Sequence, residues 1–102
     1  MSRGFARVGD QTTGTCSHPS HSPPITVGGK IITGSEDYLI NDKRAARIGD
    51  TVRTNCGHTG KIVTGDENSI VNDRRQARLG DKVAGDYSAE IITASNDTKD
   101  GS

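Results

Sequence analysis

Hydrophobic positions in this chain occur as short runs separated by turn-forming residues. The runs at residues 61–64 (Lys-Ile-Val-Thr) and 69–71 (Ser-Ile-Val) are rich in β-branched residues and bounded by Gly, Asn and Asp, as is typical of hairpin strands. Asn41-Asp42 and Asn72-Asp73 follow such runs, at points where a tight turn needs residues that tolerate positive φ. Apolar residues nowhere recur at helical spacing over about ten positions. The pattern predicts an all-β protein built from hairpins.

An internal repeat organises these strands. Residues 5–10, 45–50 and 76–81 share Ala-Arg, one aliphatic residue and Gly-Asp, and residues 29–34, 60–65 and, more weakly, 89–94 share a second element. Residues 35–50 align with residues 66–81 without a gap, whereas the first repeat carries extra residues around the Pro-rich stretch 18–24. We predict one domain over residues 1–102, with repeats at roughly 5–42, 45–73 and 76–95 and a polar tail at 96–102.

The Ala-Arg-x-Gly-Asp unit is interpreted as a packing and turn element. Ala allows backbones to approach, the aliphatic residue points inward, and Gly-Asp makes the turn. Asp10, Asp50 and Asp81 are expected to accept backbone N–H groups or to pair with an Arg of a neighbouring repeat. A catalytic carboxylate group would need a cleft with perturbed pKa values, and the sequence gives no sign of one. The chain is therefore expected not to be an enzyme.

Composition limits the stability that the chain can reach alone. Only 29% of its 102 residues are hydrophobic, so we expect it to need a partner, a metal or a disulfide. Thirteen basic residues balance thirteen acidic ones, which argues against a nucleic-acid partner. No apolar run approaches the roughly eighteen residues of a membrane span. The N-terminus lacks the apolar stretch of a signal peptide.

The cysteines and histidines recur at matched positions. Cys16 and His18 follow Asp10 at the same spacing at which Cys56 and His58 follow Asp50, and the third repeat has Tyr87 and Ala89 there. If the repeats surround a pseudo-threefold axis, both pairs converge, and His21 can fold over from the Pro-rich loop. Sulfur and imidazole ligands favour tetrahedral Zn²⁺, and iron is the alternative metal. A Cys16–Cys56 disulfide, a Cys-His dyad and unrelated single residues are the alternatives.

Residues 44–50 (Arg-Ala-Ala-Arg-Ile-Gly-Asp) resemble the Pro-Ala-Ala-Arg signature of PAAR-repeat proteins, with Arg44 in place of Pro. The segment 32–42 is similar to the Gly-Ser…Val-x-Val-Asn-Gly segment of that family, with Asp42 replacing the Gly. The similarity extends from about Phe5 to Ser95 and includes three copies of the motif.

This resemblance implies a small cone of three β-hairpin repeats around a pseudo-threefold axis, with a metal site, usually zinc, near the apex. It also implies a non-enzymatic tip that caps the homotrimeric β-helical spike of a contractile injection machine, one tip per trimer, and pierces a target envelope. Such tips belong to contractile phage tails or type VI secretion systems. We expect a monomer on its own, with transient contact with the target membrane. The alternative is a small zinc-binding adaptor that links a partner or effector to a spike.

For the metal we predict one zinc ion per chain, held by His18, His21, Cys56 and His58. Cys16 is the reserve ligand and could displace His18. The third repeat departs from many relatives because Tyr87 stands where they place a His or Cys ligand. The ligands must therefore come from the first two repeats.

Overall fold

The computed structural model describes residues 4–17, 24–40 and 42–95. Every helix-or-strand element in these ranges is a β-strand, which confirms the all-β prediction. No helix in this described part of the chain is long and apolar enough to cross a membrane. The strands in chain order are β1 (Gln11–Cys16), β2 (Ile25–Ile31), β3 (Leu39–Ile40), β4 (Lys43–Arg44), β5 (Thr51–Thr54), β6 (Thr59–Ile62), β7 (Asp66–Val71), β8 (Arg74–Gln76), β9 (Lys82–Gly85) and β10 (Tyr87–Ile91).

Six of these strands close into a small antiparallel barrel in the order β1-β10-β9-β6-β5-β2. The barrel consists of the hairpins β1–β2, β5–β6 and β9–β10. Strand pairs β2–β5, β6–β9 and β10–β1 join each hairpin to the next. The strands β3–β4 and β7–β8 form two further hairpins outside the barrel. Each repeat therefore contributes one hairpin to a common closed wall.

The turns of the two outer hairpins have the backbone conformation that their sequences predict. Asp42, Asn72 and Asp73 have φ values of 66°, 53° and 65°, in the left-handed region that Asn and Asp tolerate better than other side chains do. Asn41, the other residue of the first predicted turn, lies outside the described residues. Strand β6 ends at Ile62, so the last two residues of the predicted run 61–64 follow the strand.

The Arg-x-Gly-Asp unit forms the same turn in each repeat. In the first, the Asp10 carboxylate accepts hydrogen bonds from the Arg7 backbone N–H at 2.8 Å and from Arg7 Nε at 2.9 Å, and Gly9 takes a φ of +95°. The hydrogen bond to Asp10 raises the pKa of Arg7. The expectation of a turn that accepts backbone N–H groups is confirmed. Each Asp pairs with the Arg of its own turn, and Asp50 also lies 3.8 Å from Nη1 of the exposed Arg74. Equivalent contacts join Arg47 to Asp50 and Arg78 to Asp81.

The same carboxylates link neighbouring repeats through threonine. Thr33 of the first repeat donates its hydroxyl to Asp50 of the second at 3.1 Å and accepts the Thr51 backbone N–H at 2.8 Å. Thr64 donates to Asp81 and Thr93 to Asp10 in the same way. Each buried carboxylate therefore stabilises its own turn and also joins two repeats, so its loss affects both.

Three alanine backbones close a ring of hydrogen bonds between the repeats. Ala6 N–H donates to Ala77 O at 2.9 Å, Ala77 N–H to Ala46 O at 2.9 Å, and Ala46 N–H to Ala6 O at 3.0 Å. All three residues are fully buried. A larger side chain would have to displace the packed interior, which explains physically why alanine stands at these positions.

The interior of the barrel is small and lies between two distinct ends. Its aliphatic contents are Ile31, Val52, Ile62, Val83 and Ile91, packed around the three alanines and Tyr87. One end carries the turns that follow Thr54 and Gly85, together with the end of β1 at Cys16. At the other end the chain leaves the barrel after Ile31 and Ile62 to form the outer hairpins. Cys16, Cys56 and His58 therefore lie at the end of the barrel opposite the outer hairpins.

Candidate metal centre

A tight turn between β5 and β6 places two of the predicted ligands side by side. The Thr54 hydroxyl accepts the His58 backbone N–H at 3.0 Å and donates to the His58 carbonyl oxygen at 3.1 Å. Gly57 has a φ of +90°, which a side chain would strain, and its N–H donates to Thr54 O at 3.1 Å. Within this closed turn, Cys56 Sγ lies 3.5 Å from His58 Nδ1.

The end of β1 supplies the third member of the cluster. Cys16 is the last residue of β1 and is paired with Ile25 of β2 on one side and Tyr87 of β10 on the other. Its side chain is fully buried. Cys16 Sγ lies 3.1 Å from His58 Nδ1 and 3.6 Å from Cys56 Sγ. Neither cysteine is in a disulfide.

The spacing of these three atoms fits a shared metal ion. Two sulfurs bound to one tetrahedral zinc at about 2.3 Å lie about 3.8 Å apart, and a bound sulfur and nitrogen lie about 3.6 Å apart. The Cys16–Cys56 and Cys56–His58 separations of 3.6 and 3.5 Å are close to these values. The Cys16–His58 separation is shorter, so the imidazole would move outward slightly to admit an ion. The cluster can bind a metal ion with these atoms.

The sequence-predicted ligands fall into two groups. Cys56 and His58 lie together as expected, and Cys16, the predicted reserve ligand, lies with them. His18 and His21 lie outside the described residues. The structure therefore leaves the predicted set of His18, His21, Cys56 and His58 untested.

Tyr87 occupies the corresponding position of the third repeat, and its hydroxyl is engaged in hydrogen bonds inside the barrel. Its hydroxyl lies 2.8 Å from Thr12 Oγ1 and donates to the Val27 carbonyl oxygen at 3.3 Å. Burial raises the pKa of Tyr87, and the hydrogen bond with Thr12 offsets part of that rise. The hydroxyl thus stays neutral at physiological pH and is used inside the barrel. The third repeat has Tyr87 where the other two have a Cys, and Tyr87 is the largest fully buried side chain of the described residues.

Sequence reasoning missed Thr54, whose hydroxyl makes three contacts in the turn. It accepts one backbone N–H and donates to one carbonyl oxygen of His58, and it lies 3.0 Å from Cys56 Sγ. The available signal was the tendency of Ser and Thr to form such local side-chain turns. That tendency is weak, and the first repeat has Gly14 at the corresponding position.

The comparison with known families gives a match to the first half of the chain. The family described as PAAR motif matches residues 1–57, which include the first two Ala-Arg-x-Gly-Asp units and both cysteines. No curated protein matches the sequence. The match covers more than half of the chain, and we conclude that the chain belongs to the PAAR-motif family.

Proposed function

We propose that this chain is the non-enzymatic tip of a contractile injection machine and caps a homotrimeric β-helical spike. The family match over residues 1–57 carries this proposal, because PAAR-motif proteins are spike-tip proteins of contractile injection systems. The machine is a contractile phage tail or a type VI secretion system, and the tip makes transient contact with the target membrane as it pierces it.

A pseudo-threefold arrangement of the three repeats would fit the chain to a spike with true threefold symmetry. The ring of alanine hydrogen bonds supports this part of the proposal, because each repeat donates to one neighbour and accepts from the other. The cyclic threonine–aspartate bonds, such as Thr33 to Asp50, support it independently. A single chain arranged in this way can cover the end of a trimer without leaving a large unmatched face.

We further propose that one structural zinc ion stiffens the leading end. Cys16, Cys56 and His58 are the proposed ligands, since their ligand atoms lie within 3.6 Å of one another. Either His18 or His21 supplies the fourth, which makes Cys16 a ligand rather than a reserve. Four protein ligands leave no position for an activated water, so the ion supplies cohesion and no chemistry.

Co-expression with the cognate spike tests the proposal. The chain alone should be a monomer by light scattering, and the purified complex should contain one copy of it for three spike chains. A chain that forms a stable homotrimer by itself, or that fails to bind the spike, would contradict the capping role. A Cys16→Ser variant that is shown to be folded should still bind the spike if the zinc only stiffens the opposite end.

A further inference from the structure

An open cleft lies beside the second outer hairpin. It has a volume of about 450 Å³ and is lined only by uncharged residues: Tyr38, Asn68, Ser69, Ile70, Val71 and Gln76. Tyr38 and Ile70 are 40% and 55% exposed, so the walls stand open to solvent rather than enclosing a small molecule. An uncharged, surface-accessible occupant suits this cleft best.

The floor of the cleft holds a polar group without a partner. Gln76 is 2% exposed, and within the described residues its side-chain Nε2 makes no hydrogen bond. Leaving a buried donor unpaired is unfavourable. The terminal torsion of a Gln side chain is broad, so the amide can turn toward the cleft and donate to an acceptor there.

One wall of the cleft is an unpaired strand edge. Within the described part of the chain, strand β7 pairs with β8 alone, in a hairpin whose two-residue turn is flanked by Val71 and Arg74. A bulge between Asp66 and Ile70 interrupts the register farther from the turn. The pair that flanks such a turn exchanges its backbone hydrogen bonds, and the next pair, Ile70 and Arg75, exchanges none. The N–H and C=O of Ile70 therefore point away from β8, where an added strand could pair with them.

The opposite wall is fixed in place. Ser35 donates its hydroxyl to Asn72 Oδ1 at 2.6 Å, and Asn72 Nδ2 donates to Asp37 at 3.3 Å. These bonds tie the turn of the β7–β8 hairpin to the segment that leads to Tyr38. An occupant therefore meets a cleft whose walls are already positioned.

The cleft lies at the end of the barrel away from the Cys–His cluster. Strand β6 runs from the turn that carries Cys56 and His58 to Ile62, and β7 begins just beyond that far end. The residues that correspond to Gln76 in the other repeats are Phe5 and Ala45, which pack together in an apolar cluster. The unpaired donor therefore occurs once, at the end that would face the spike.

We propose that this cleft receives an extended segment from the end of the β-helical spike. A main-chain carbonyl oxygen of that segment accepts a hydrogen bond from Gln76 Nε2, and its backbone pairs with the edge of β7 at Ile70. This inference rests on the capping role proposed above and names one of its contacts. Since the donor occurs once, the three identical spike chains meet unequal partners, and one of them is held by Gln76.

The test measures binding of the cognate spike trimer to the full chain and to Gln76→Met, which replaces the amide with an apolar chain of similar length. The free variant should melt no lower than the parent, because a buried unpaired donor has been removed. Its affinity for the spike should fall about tenfold, through the lost hydrogen bond.

Two equally exposed side chains provide a matched control. Ile70 lines the cleft, whereas Leu39, at the corresponding position of the first outer hairpin and 54% exposed, does not. Ile70→Glu should weaken spike binding by about tenfold or more, while Leu39→Glu should stay within about threefold of the parent. Hydrogen exchange at the Ile70 amide should slow when the spike is bound.

Three other results would each overturn the inference. If the parent binds and Gln76→Met binds equally well, the inference is wrong and the capping role stands. If Gln76→Met lowers both the melting temperature and the affinity, Gln76 has a structural role and the inference is again wrong. If the parent does not bind the spike at all, the capping role itself fails and the inference fails with it.

Discussion

The sulfur of Cys16 lies 3.1 Å from Nδ1 of His58, although the two residues belong to different repeats. Closure of the barrel produces this contact, because the end of β1 and the β5–β6 turn reach the same end of the wall. Strands β2 and β5 of these two hairpins pair as far as Gly29 and Thr54, and a metal at this point would link the hairpins in addition to that pairing. The cluster is therefore placed to strengthen the connection between the first two repeats at this end of the barrel.

Substitution of the cluster residues should remove the metal. We expect Cys16→Ser, Cys56→Ser and His58→Ala each to lower the zinc content of protein purified without chelator from one ion per chain to well below one. Elemental analysis checks this and distinguishes zinc from iron. Ser17→Ala is the matched control, because Ser17 is exposed and adjacent to Cys16. A metal-free parent with an intact Cys16–Cys56 disulfide would contradict the proposed site.

Comparison of His18→Ala with His21→Ala identifies the fourth ligand. Only the variant that lacks the ligand should lose zinc affinity. Cys16, Cys56, His58 and one further histidine fill the tetrahedron, so the remaining histidine does not bind the ion and its loss has no effect. Equal retention of zinc in both variants would mean that either histidine can serve. Retention in the double variant would show that neither is needed.

Removal of the metal should destabilise the protein strongly. Zinc-finger peptides gain about 10–16 kcal/mol from structural zinc, which is comparable to or larger than the roughly 5–15 kcal/mol net stability of a whole domain. We therefore expect a large fall in melting temperature after chelation, reversed by added zinc. An unchanged melting curve after verified removal would show that the ion is not structural.

Asp50→Asn should destabilise the fold by about 3 kcal/mol, because it breaks a buried ion pair that supports two repeats. Asp50 is 2% exposed, and its carboxylate accepts hydrogen bonds from Arg47 and from Thr33. Urea unfolding measures the loss. An unchanged midpoint would show that the Arg–Asp turn contributes little.

Glu90→Gln is the control for that experiment, since the Lys82–Glu90 pair lies exposed on the surface. The hydrogen bond from Lys82 lowers the pKa of Glu90. Any stability from this pair is present above the ordinary pKa of a glutamate and is lost as pH falls through the lowered value. At neutral pH we expect no measurable change on removing it, because exposed pairs are screened by solvent.

Ala46→Val should cost about 1–3 kcal/mol, because the added methyl groups enter a ring with no free space. Ala46 is fully buried and both donates to Ala6 and accepts from Ala77. Ala84→Val, on an exposed position of β9, provides the matched control. Equal melting temperatures for the two variants would contradict the tight packing of the alanine ring.

The sequence predicted the turns and strands best where local chemistry decides the conformation. Asp42, Asn72 and Asp73 took positive φ values because their side chains tolerate that region. The pairing of Arg7 with Asp10 within one repeat was not foreseen, since a three-residue spacing does not reveal which Arg a turn will fold onto. The matched spacing in two repeats predicted that Cys16 and His58 converge, and the structure brings them together. The length of their contact depends on barrel closure, which no local pattern encodes. Gln76 gave no signal because its unpaired amide is a property of the packed structure.

Native mass spectrometry of the chain together with its cognate spike tests the central claim most directly. The capping account predicts one dominant complex whose mass equals three spike chains, one copy of this chain and one zinc ion. A complex with three copies of this chain per spike, or a spike trimer that never carries it, would contradict the account.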